Sequence, residues 1–247
     1  YDGDGSGQFR YMEQPLLTLM EKVGLDINYV TDFEVDRNPT VFKNTKAIIV
    51  GGHSEYWTVA MRDSIDAAVV AGVNLVAFGG NTAYAITEIE NRNIRGRTPY
   101  RDVSRPESLL LGSQYFALGI KKDLISNNVW PFASLGKDAV INDLYGYEAD
   151  TAMGTKGPGV QILARAAISP TEKGFVAMST YYNAPSGASV LNMGTNAWVC
   201  AIKNRCPWGH IFDSVAQKQL STVTTEVLKA VKTSKWPVAQ IDIPARP

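Results

Sequence analysis

Apolar residues recur along this chain in two different periods. At residues 13–23, 57–71 and 212–232 they return every three or four positions, which predicts amphipathic helices; Gly24 and Gly72 are the stop signals of the first two. Strands are predicted where apolar residues form continuous or alternating runs. These runs cover residues 27–30, 47–50, 74–78, 160–164, 174–181 and 188–193. The pattern predicts an α/β protein.

The order of strand, helix and strand between residues 47 and 78 predicts a βαβ unit with two parallel strands. We therefore expect a mostly parallel sheet in a single domain that covers residues 1–247. Each strand of the unit runs into two glycines and a polar residue, His53 in the first copy and Asn81 in the second. Because parallel strands end at the same edge of a sheet, where open α/β folds hold their ligands, both loops are predicted to line one site.

Three segments depart from this alternation of helices and strands. Residues 88–146 are rich in Asn, Arg, Ser, Pro and Gly, which predicts a long irregular insertion of the kind that covers a site or forms an interface. Residues 183–187 predict the turn of a hairpin. Residues 236–247 carry several prolines and predict an extended tail.

Composition narrows the classes of partner. The 247 residues are 45% hydrophobic and 19% charged, as is usual for a globular domain. The formal net charge is +0 and no basic cluster occurs, so neither nucleic acid nor a membrane surface is expected as a partner. No apolar run approaches the ~18–20 residues that a membrane span needs. The first residue is Tyr1, which we expect of a processed product or a piece of a longer polypeptide.

Two cysteines, Cys200 and Cys206, lie close together in the sequence. A short disulfide loop is one interpretation; it implies an oxidising compartment and a secreted protein. Two reduced thiols are the alternative, which fits a cytoplasmic protein. The spacing matches no common zinc site, so we do not expect this pair to bind metal by itself.

His53 and Glu55 lie two positions apart on the first of the two loops. A histidine and a carboxylate form the usual general acid/base pair, and both side chains are also metal ligands. The alternative is structural: His53 caps a backbone group, and Glu55 favours the dipole of the helix that follows.

Asn81 occupies the strand-to-turn junction at which several α/β hydrolases carry a nucleophile. An amide is not a nucleophile, but it can donate a hydrogen bond to a developing oxyanion. The alternative is that Asn81 adopts a left-handed turn conformation. Glu148 lies among aromatic residues that can raise its pKa by desolvation, which makes it a candidate acid/base unless it is a surface residue. The second histidine, His210, is expected to be structural.

The N-terminal segment has the ligand spacing of an EF-hand calcium loop, including the glycine at the sixth position and a following helix. The calcium ligands of this interpretation are Asp2, Asp4, Ser6 and Glu13. The alternative is a flexible Gly/Asp turn that leads into the helix.

Two motifs carry a resemblance to a known family. They are His53-Ser54-Glu55-Tyr56-Trp57-Thr58 and Gly79-Gly80-Asn81-Thr82-Ala83-Tyr84, with further likeness at residues 13–17, 29–32, 146–148, 186–188 and 192–195. On these residues the chain resembles the C-terminal domain of the N,N-dimethylformamidase large (beta) subunit. The resemblance spans most of the chain and is weakest at residues 92–144.

The resemblance implies a fold and a site. The fold is that of class I glutamine amidotransferases, a flavodoxin-like three-layer sandwich, without the cysteine nucleophile of that group. The formamidase holds a mononuclear iron (Fe) with two tyrosinates and one glutamate, and it hydrolyses an amide with metal-activated water. Carried over, the iron ligands are Glu55, Tyr1 and, by position, Tyr11. The catalytic residues are then His53, Asn81 and Glu148.

We therefore predict a metal-dependent amidohydrolase that acts on the C–N bond of a small-molecule substrate. The alternative is a non-catalytic structural or binding module of the same fold, stabilised by calcium (Ca), that self-associates or assembles with partner chains. The resemblance places the family's first strand before Tyr1, and we expect a sheet without this strand to be open to strand addition from a partner.

Overall fold

A computed structural model of the 247-residue chain describes residues 7–90, 93–167 and 176–247. The α-helices are Gly7–Met12 (α1), Gln14–Val23 (α2), Asp32–Arg37 (α3), Val59–Val70 (α4), Ser108–Leu111 (α5), Ala197–Ile202 (α6) and Ser214–Thr233 (α7). The strands are Ala47–Val50 (β1), Tyr56–Trp57 (β2), Asn74–Ala77 (β3), Ala85–Glu90 (β4), Asn93–Pro99 (β5), Gln114–Leu118 (β6), Lys122–Ser126 (β7), Val140–Tyr145 (β8), Glu148–Thr151 (β9), Gln161–Ala166 (β10), Met178–Asn183 (β11) and Ser189–Asn192 (β12).

The principal sheet has seven strands in the order β1-β3-β12-β11-β10-β7-β8. The predicted βαβ unit is confirmed, since β1 and β3 are parallel and α4 connects them. The prediction of a mostly parallel sheet is wrong. Only the β1–β3 and β3–β12 pairs of this described sheet are parallel, and its other neighbouring pairs are antiparallel. For β11 and β12 the physical reason is connection length, since the short turn of the predicted hairpin joins only antiparallel strands.

The prediction of an irregular insertion at residues 88–146 is also wrong. This segment forms β5 to β8, and β7 and β8 complete one side of the principal sheet. β5 joins β2 and β4 in a three-stranded sheet, while β6 pairs with β9. β7 and β8 carry buried apolar residues such as Leu124 and Ile141, but polar residues interrupt their apolar pattern. Nearly every residue of β5 is exposed, so no apolar alternation marks it.

A strand predicted at residues 27–30 does not form. These residues connect α2 to α3, and the side chains of Tyr29 and Val30 are 62% and 44% exposed. The sequence signal that was missed lies next to them. Thr31 and Glu34 form a capping box, in which each side chain binds the backbone N–H of the other, and this box starts α3.

Helices cover both faces of the principal sheet, which gives three layers. The predicted helices are confirmed as α2, α4 and α7. Alternation along β3 divides the core in two: Leu75 and Ala77 pack with the apolar side of α4, whereas Val76 and Phe78 pack with α2, α6 and α7. In the described part of the chain, no helix combines the length and the apolar character needed to cross a membrane.

The C-terminal part of the chain contains a disulfide and an extended tail. Cys200 and Cys206 form a disulfide, so of the two interpretations of these cysteines the structure has the disulfide. A secreted location stays a prediction. The tail is extended, as predicted, and its isolated bridges join Ile243 to Val160 and Arg246 to Gly157.

Candidate functional site

Three loops meet at the edge where the parallel strands β1, β3 and β12 end. They carry His53, Asn81 and Asn196, respectively. Glycine makes the close approach feasible. A Cβ atom at Gly79 would overlap the carbonyl oxygen of Gly52, and one at Gly80 would lie 3.0 Å from the Cα atom of Thr195. The paired glycines thus let three polar loops converge on one place.

Glu148, the first residue of β9, brings the predicted acid/base groups together. Its Oε2 atom lies 2.7 Å from Nε2 of His53, which in turn lies 3.7 Å from Oε2 of Glu55. Glu148 and Glu55 are largely buried, with 9% and 5% of their surface exposed. A histidine held between two carboxylates at this depth is an arrangement for moving protons.

Two asparagine amides hold the same carboxylate oxygen. Nδ2 of Asn81 donates to Oε2 of Glu148 at 3.3 Å, and Nδ2 of Asn196 donates to it at 3.2 Å. The backbone N–H of Glu148 donates to Oδ1 of Asn196 at 3.1 Å. These side-chain contacts and the His53 contact all involve Oε2 of Glu148. Within the described residues, the other oxygen, Oε1, is therefore available to a water molecule or a substrate.

Asn81 is itself fixed by a second carboxylate. It has a φ of 56°, in the left-handed region, and its backbone N–H donates to Oδ1 of Asp150 at 2.8 Å. Oδ1 of Asn81 and Oγ1 of Thr82 are buried polar atoms that have no hydrogen-bond partner within the described residues. Buried polar groups are normally paired, so these two atoms point to a bound molecule.

The environment shifts two pKa values in the site. Burial alone would lower the pKa of His53, but the hydrogen bond and charge of Glu148, with the charges of Glu55 and Asp150, outweigh it and raise the pKa. Burial raises the pKa of Asp150 to about 7, although hydrogen bonds from Asn81 and Asn192 oppose this. Asp150 therefore titrates near neutral pH, and His53 stays protonated to higher pH than an ordinary histidine.

Arg97 on β5 contacts the carboxylate of Glu55 and two aromatic rings. Its Nη2 atom donates to Oε1 of Glu55 at 2.6 Å, and its guanidinium lies 5.7 Å and 5.8 Å from the ring centres of Tyr56 and Tyr84. The edge of the Tyr115 ring contacts Tyr84, with 5.4 Å between the ring centres. A guanidinium and three phenol rings thus form the rim of the site.

Of the iron ligands implied by the resemblance, Glu55 and Tyr11 lie within the described residues. Tyr1 lies outside the described residues. Tyr11 precedes Met12, whose backbone packs directly against Gly52, so α1 reaches the loop of His53. Glu55 is engaged with Arg97. One carboxylate and one phenol are fewer donors than the three implied, so the described residues do not complete an iron site, and we derive no reaction step through iron.

The calcium interpretation stays a prediction. Asp2, Asp4 and Ser6 lie outside the described residues, and Glu13 is the residue that precedes α2. Burial, followed by the charge of Asp32, raises the pKa of Glu13. Within the described ranges, no group of three or more His, Cys, Asp or Glu side chains is arranged as a metal site.

A separate cleft of about 410 Å³ lies beside this site. Tyr147 and Trp208 stack on its wall with 5.8 Å between ring centres, and His210 lines it with Lys121. Burial, and then the positive charge of Lys121, lowers the pKa of His210. None of the groups around Glu148 lines the cleft, so we place the candidate site at Glu148.

Sequence reasoning missed Arg97, Asn196 and a role for Asp150. A signal for Asn196 exists: residues 189–196 repeat the layout of a strand, a glycine and polar residues seen at His53 and Asn81. Arg97 has no such signal, because it lies on an exposed strand among other charged residues. Asp150 is one of many acidic residues until the fold buries it.

Comparison with known proteins agrees with the resemblance seen in the motifs. No individually curated protein matches the chain. A family model described as N,N-dimethylformamidase beta subunit-like, C-terminal, matches residues 1–208. These residues include the loops of His53 and Asn81 and the strand of Glu148, and they end within the cleft wall at Trp208. The chain therefore belongs to the N,N-dimethylformamidase beta subunit-like C-terminal family.

Proposed function

We propose that this protein hydrolyses the C–N bond of a small formamide-type amide, releasing formate and an amine. The observation that carries the proposal is the 2.7 Å contact between Nε2 of His53 and Oε2 of Glu148, on a carboxylate that Asn81 and Asn196 also hold. Family membership supports the same class of reaction. The class rests on the site as well as the family, because fold alone does not determine function.

The side chains divide the proton transfers between them. A water oxygen bonds to the carbonyl carbon of the substrate while Oε1 of Glu148 accepts one of the water protons. His53 donates a proton to the amide nitrogen as the C–N bond breaks, so the nitrogen leaves as a neutral amine. His53 suits this role because its raised pKa keeps it protonated to higher pH than an ordinary histidine.

The unpartnered atoms suit a small substrate. Oδ1 of Asn81 can accept a hydrogen bond from an N–H group of the substrate, and the hydroxyl of Thr82 can donate to its carbonyl oxygen. Glu148 and Asn81 are almost fully buried, which excludes bulk water and strengthens each of these interactions.

Three further parts of the proposal, namely bound iron, a glutamine amidotransferase-like fold and assembly with other subunits, come from the resemblance to the family. Bound iron would polarise the substrate carbonyl and activate water, with Glu55 as its carboxylate ligand. The parallel half of the sheet, β1-β3-β12 with helices on both faces, is consistent with a glutamine amidotransferase-like fold. The words "beta subunit-like" in the family description support assembly with partner subunits.

A hydrolysis assay with matched histidine variants tests the proposal. We expect the protein to release formate from formamide or N-methylformamide, and we expect His53→Ala and Glu148→Gln to lower kcat by about 10²–10⁴-fold. His210→Ala is the control, since His210 lines the separate cleft, and it should retain the activity. No formate release by folded protein supplied with iron would contradict the enzyme and favour the non-catalytic module.

Metal analysis tests the iron and calcium predictions separately. Protein purified without chelator is expected to carry iron, and Glu55→Ala to lose it. Iron bound by a tyrosinate would also absorb visible light. Calcium without iron would support the N-terminal loop instead. Absence of transition metal, in protein that still hydrolyses formamide, would remove iron from the proposal and leave the acid/base groups in place.

A further inference from the structure

Asp150 is a buried carboxylate that the proposed chemistry does not use. Its side chain belongs to a residue that is 1% exposed. Oδ1 accepts the backbone N–H of Asn81 at 2.8 Å, and Oδ2 accepts Nδ2 of Asn192 at 2.8 Å. Among the ion pairs of the described residues, none involves Asp150. A carboxylate buried without an ion pair is costly, so its retention calls for a reason.

The bond to Asn81 sets the direction of a catalytic side chain. Asn81 has a φ of 56°, in the left-handed region that asparagine adopts more readily than most residues with a side chain. Asp150 anchors this conformation at the backbone N–H. With the backbone held there, Nδ2 of Asn81 reaches Oε2 of Glu148.

The bond to Asn192 ties the same carboxylate to the end of β12. Asn192 also donates to Oγ of Ser113 at 2.9 Å and accepts the backbone N–H of Gly194 at 3.1 Å. The backbone N–H of Asp150 donates to the carbonyl oxygen of Gly194 at 2.9 Å. Asp150 therefore joins three pieces of the site: β9, the loop after β3 and the loop after β12.

We infer that Asp150 is the positioning residue of this site: its ionised carboxylate orients Asn81, and through Asn81 it orients the carboxylate of Glu148. The inference rests on the proposed function for its catalytic consequence. The orientation of Asn81 by Asp150 is a property of the folded protein and does not depend on the proposed function.

Protonation of Asp150 should loosen this arrangement. Both neighbours of its carboxylate are N–H donors, so a carboxyl O–H in place of an oxygen lone pair has no acceptor there. Burial raises the pKa of Asp150 to about 7, and the charges of Glu107 and Glu148 add to the rise. The other titratable groups that act on it are Tyr145 and His53. Asn81 is thus held best above neutral pH.

Two variants should move the pH profile of kcat in opposite directions. Asp150→Asn cannot ionise, so the acid limb should move to lower pH, with kcat reduced about tenfold or more and KM changed less than about twofold. Asn192→Ala removes a donor to the carboxylate, which raises the proton affinity of Asp150 and should move the acid limb to higher pH. Asp143→Asn is the control: Asp143 pairs with Lys121 at the surface, at 3.0 Å, and its loss should leave the limb unchanged.

Hydrogen exchange of the Asn81 backbone amide provides a readout that needs neither substrate nor a variant. In the unaltered protein its protection factor should rise as the pH increases through about 7, while amides within β3 keep a constant protection factor. An Asn81 protection factor that does not change with pH would overturn the inference. A pH profile of kcat for Asp150→Asn that superimposes on that of the unaltered protein would overturn it as well. Failure of the hydrolysis assay alone would overturn the proposed function and not the role of Asp150.

Discussion

At the scale of residues, the candidate site contains three carboxylates that bind different partners. Glu148 binds His53 and two asparagine amides, Glu55 binds Arg97, and Asp150 binds only N–H donors. Each carboxylate thus has a different set of neighbours. Under the proposed function, the three carboxylates therefore have different roles, and Asp150 serves as the anchor of Asn81.

The two histidines should give the stability of the protein opposite pH dependences. The pKa of His53 is raised in the folded protein, so its contribution is fully present below the ordinary value of 6.5 and is lost as the pH rises through the raised pKa. The pKa of His210 is lowered, so its contribution is present above 6.5 and is lost as the pH falls through the lowered pKa.

Thermal unfolding measured from pH 5 to 9 checks this sign. The Tm difference between the unaltered protein and His53→Ala should shrink as the pH rises, and the difference for His210→Ala should shrink as the pH falls. Each variant is the control for the other, because the chain has two histidines in total. Parallel Tm curves for both variants would contradict the pKa directions.

At the scale of elements, the site is built where the loops after β1, β3 and β12 touch. Strand direction brings the loops to one edge, and glycine lets them come close. The hairpin of β4 and β5 then places Arg97 against Glu55. The sheet positions the loops, and the hairpin supplies the ion-pair partner of Glu55.

Gly80→Ala should damage the site by separating two of these loops. A Cβ atom there would lie 3.0 Å from Cα of Thr195 and 3.1 Å from the backbone nitrogen of Asn196, and neither is the end of a flexible side chain. We expect a loss of about 1–3 kcal/mol in the free energy of unfolding, from overpacking, together with a lower kcat. Denaturant unfolding and the hydrolysis assay measure the two effects.

Gly51→Ala is the matched control for this prediction. Gly51 is the first glycine of the other Gly-Gly pair, and a Cβ atom there would meet Cδ2 of Leu16 at 3.4 Å, an ordinary contact. It should change stability by less than about 0.5 kcal/mol, as a substitution that neither fills space nor strains the chain. Equal effects of the two substitutions would show that loop contact is not the cause.

Arg97→Ala should remove the ion-pair partner of Glu55. Arg97 is the ion-pair partner of Glu55, whose side chain is 6% exposed, whereas the Arg97 side chain is 60% exposed. Because solvent screens the arginine, we expect a loss of only about 1–2 kcal/mol in the free energy of unfolding. Without the arginine, the carboxylate of Glu55 loses its ion-pair partner, and a shift of the pH profile of kcat/KM would report the changed charge of the site.

Arg95→Ala separates this effect from a general loss of charge on the hairpin. Arg95 also lies on β5 and pairs with Glu90 at 3.2 Å, but both side chains are largely exposed. Its removal should leave the stability and the pH profile unchanged. If both arginine variants shift the profile equally, Arg97 acts through the overall field and not through Glu55.

At the scale of the whole molecule, the C-terminal tail links the two halves of the core. Trp236 and Ala239 pack against the core formed with α2, α6 and α7, and Ile243 packs against the core formed with α4. Backbone hydrogen bonds join Ile243 to Val160. The tail thus contacts both halves of the core. It follows the residues 1–208 that the family model matches.

Removal of residues 240–247 should therefore lower stability without changing the site. Lost backbone hydrogen bonds and the burial of Ile243 amount to about 2–3 kcal/mol in the free energy of unfolding. Urea unfolding measures the change, and kcat of the truncated protein should stay the same. Val238→Ala is the control on the tail, since Val238 is 85% exposed, and it should have no effect on stability.

Local patterns were sufficient for part of this fold. The β1–α4–β3 unit, the hairpin of β11 and β12 and the long helices follow from apolar periodicity, because each is defined by residues close together in the chain. The strands at residues 93–145 could not be predicted in the same way. β5 is exposed, polar residues interrupt the apolar pattern of β7 and β8, and pairing with other strands determines whether each of them forms.

The sequence by itself determined that two strands end in glycine pairs followed by His53 and Asn81, since strand ends and glycine pairs are local signals, and it named Glu148 as a candidate acid/base. Only the tertiary structure decided that Glu148 lies against His53 and Asn81, and that Asp150 and Arg97 join them. Asn81 lies 67 positions from Glu148 and 69 from Asp150, and Arg97 lies 42 positions from Glu55. Contacts over such separations exist only after strands from different parts of the chain pair, so a local pattern carries no record of them.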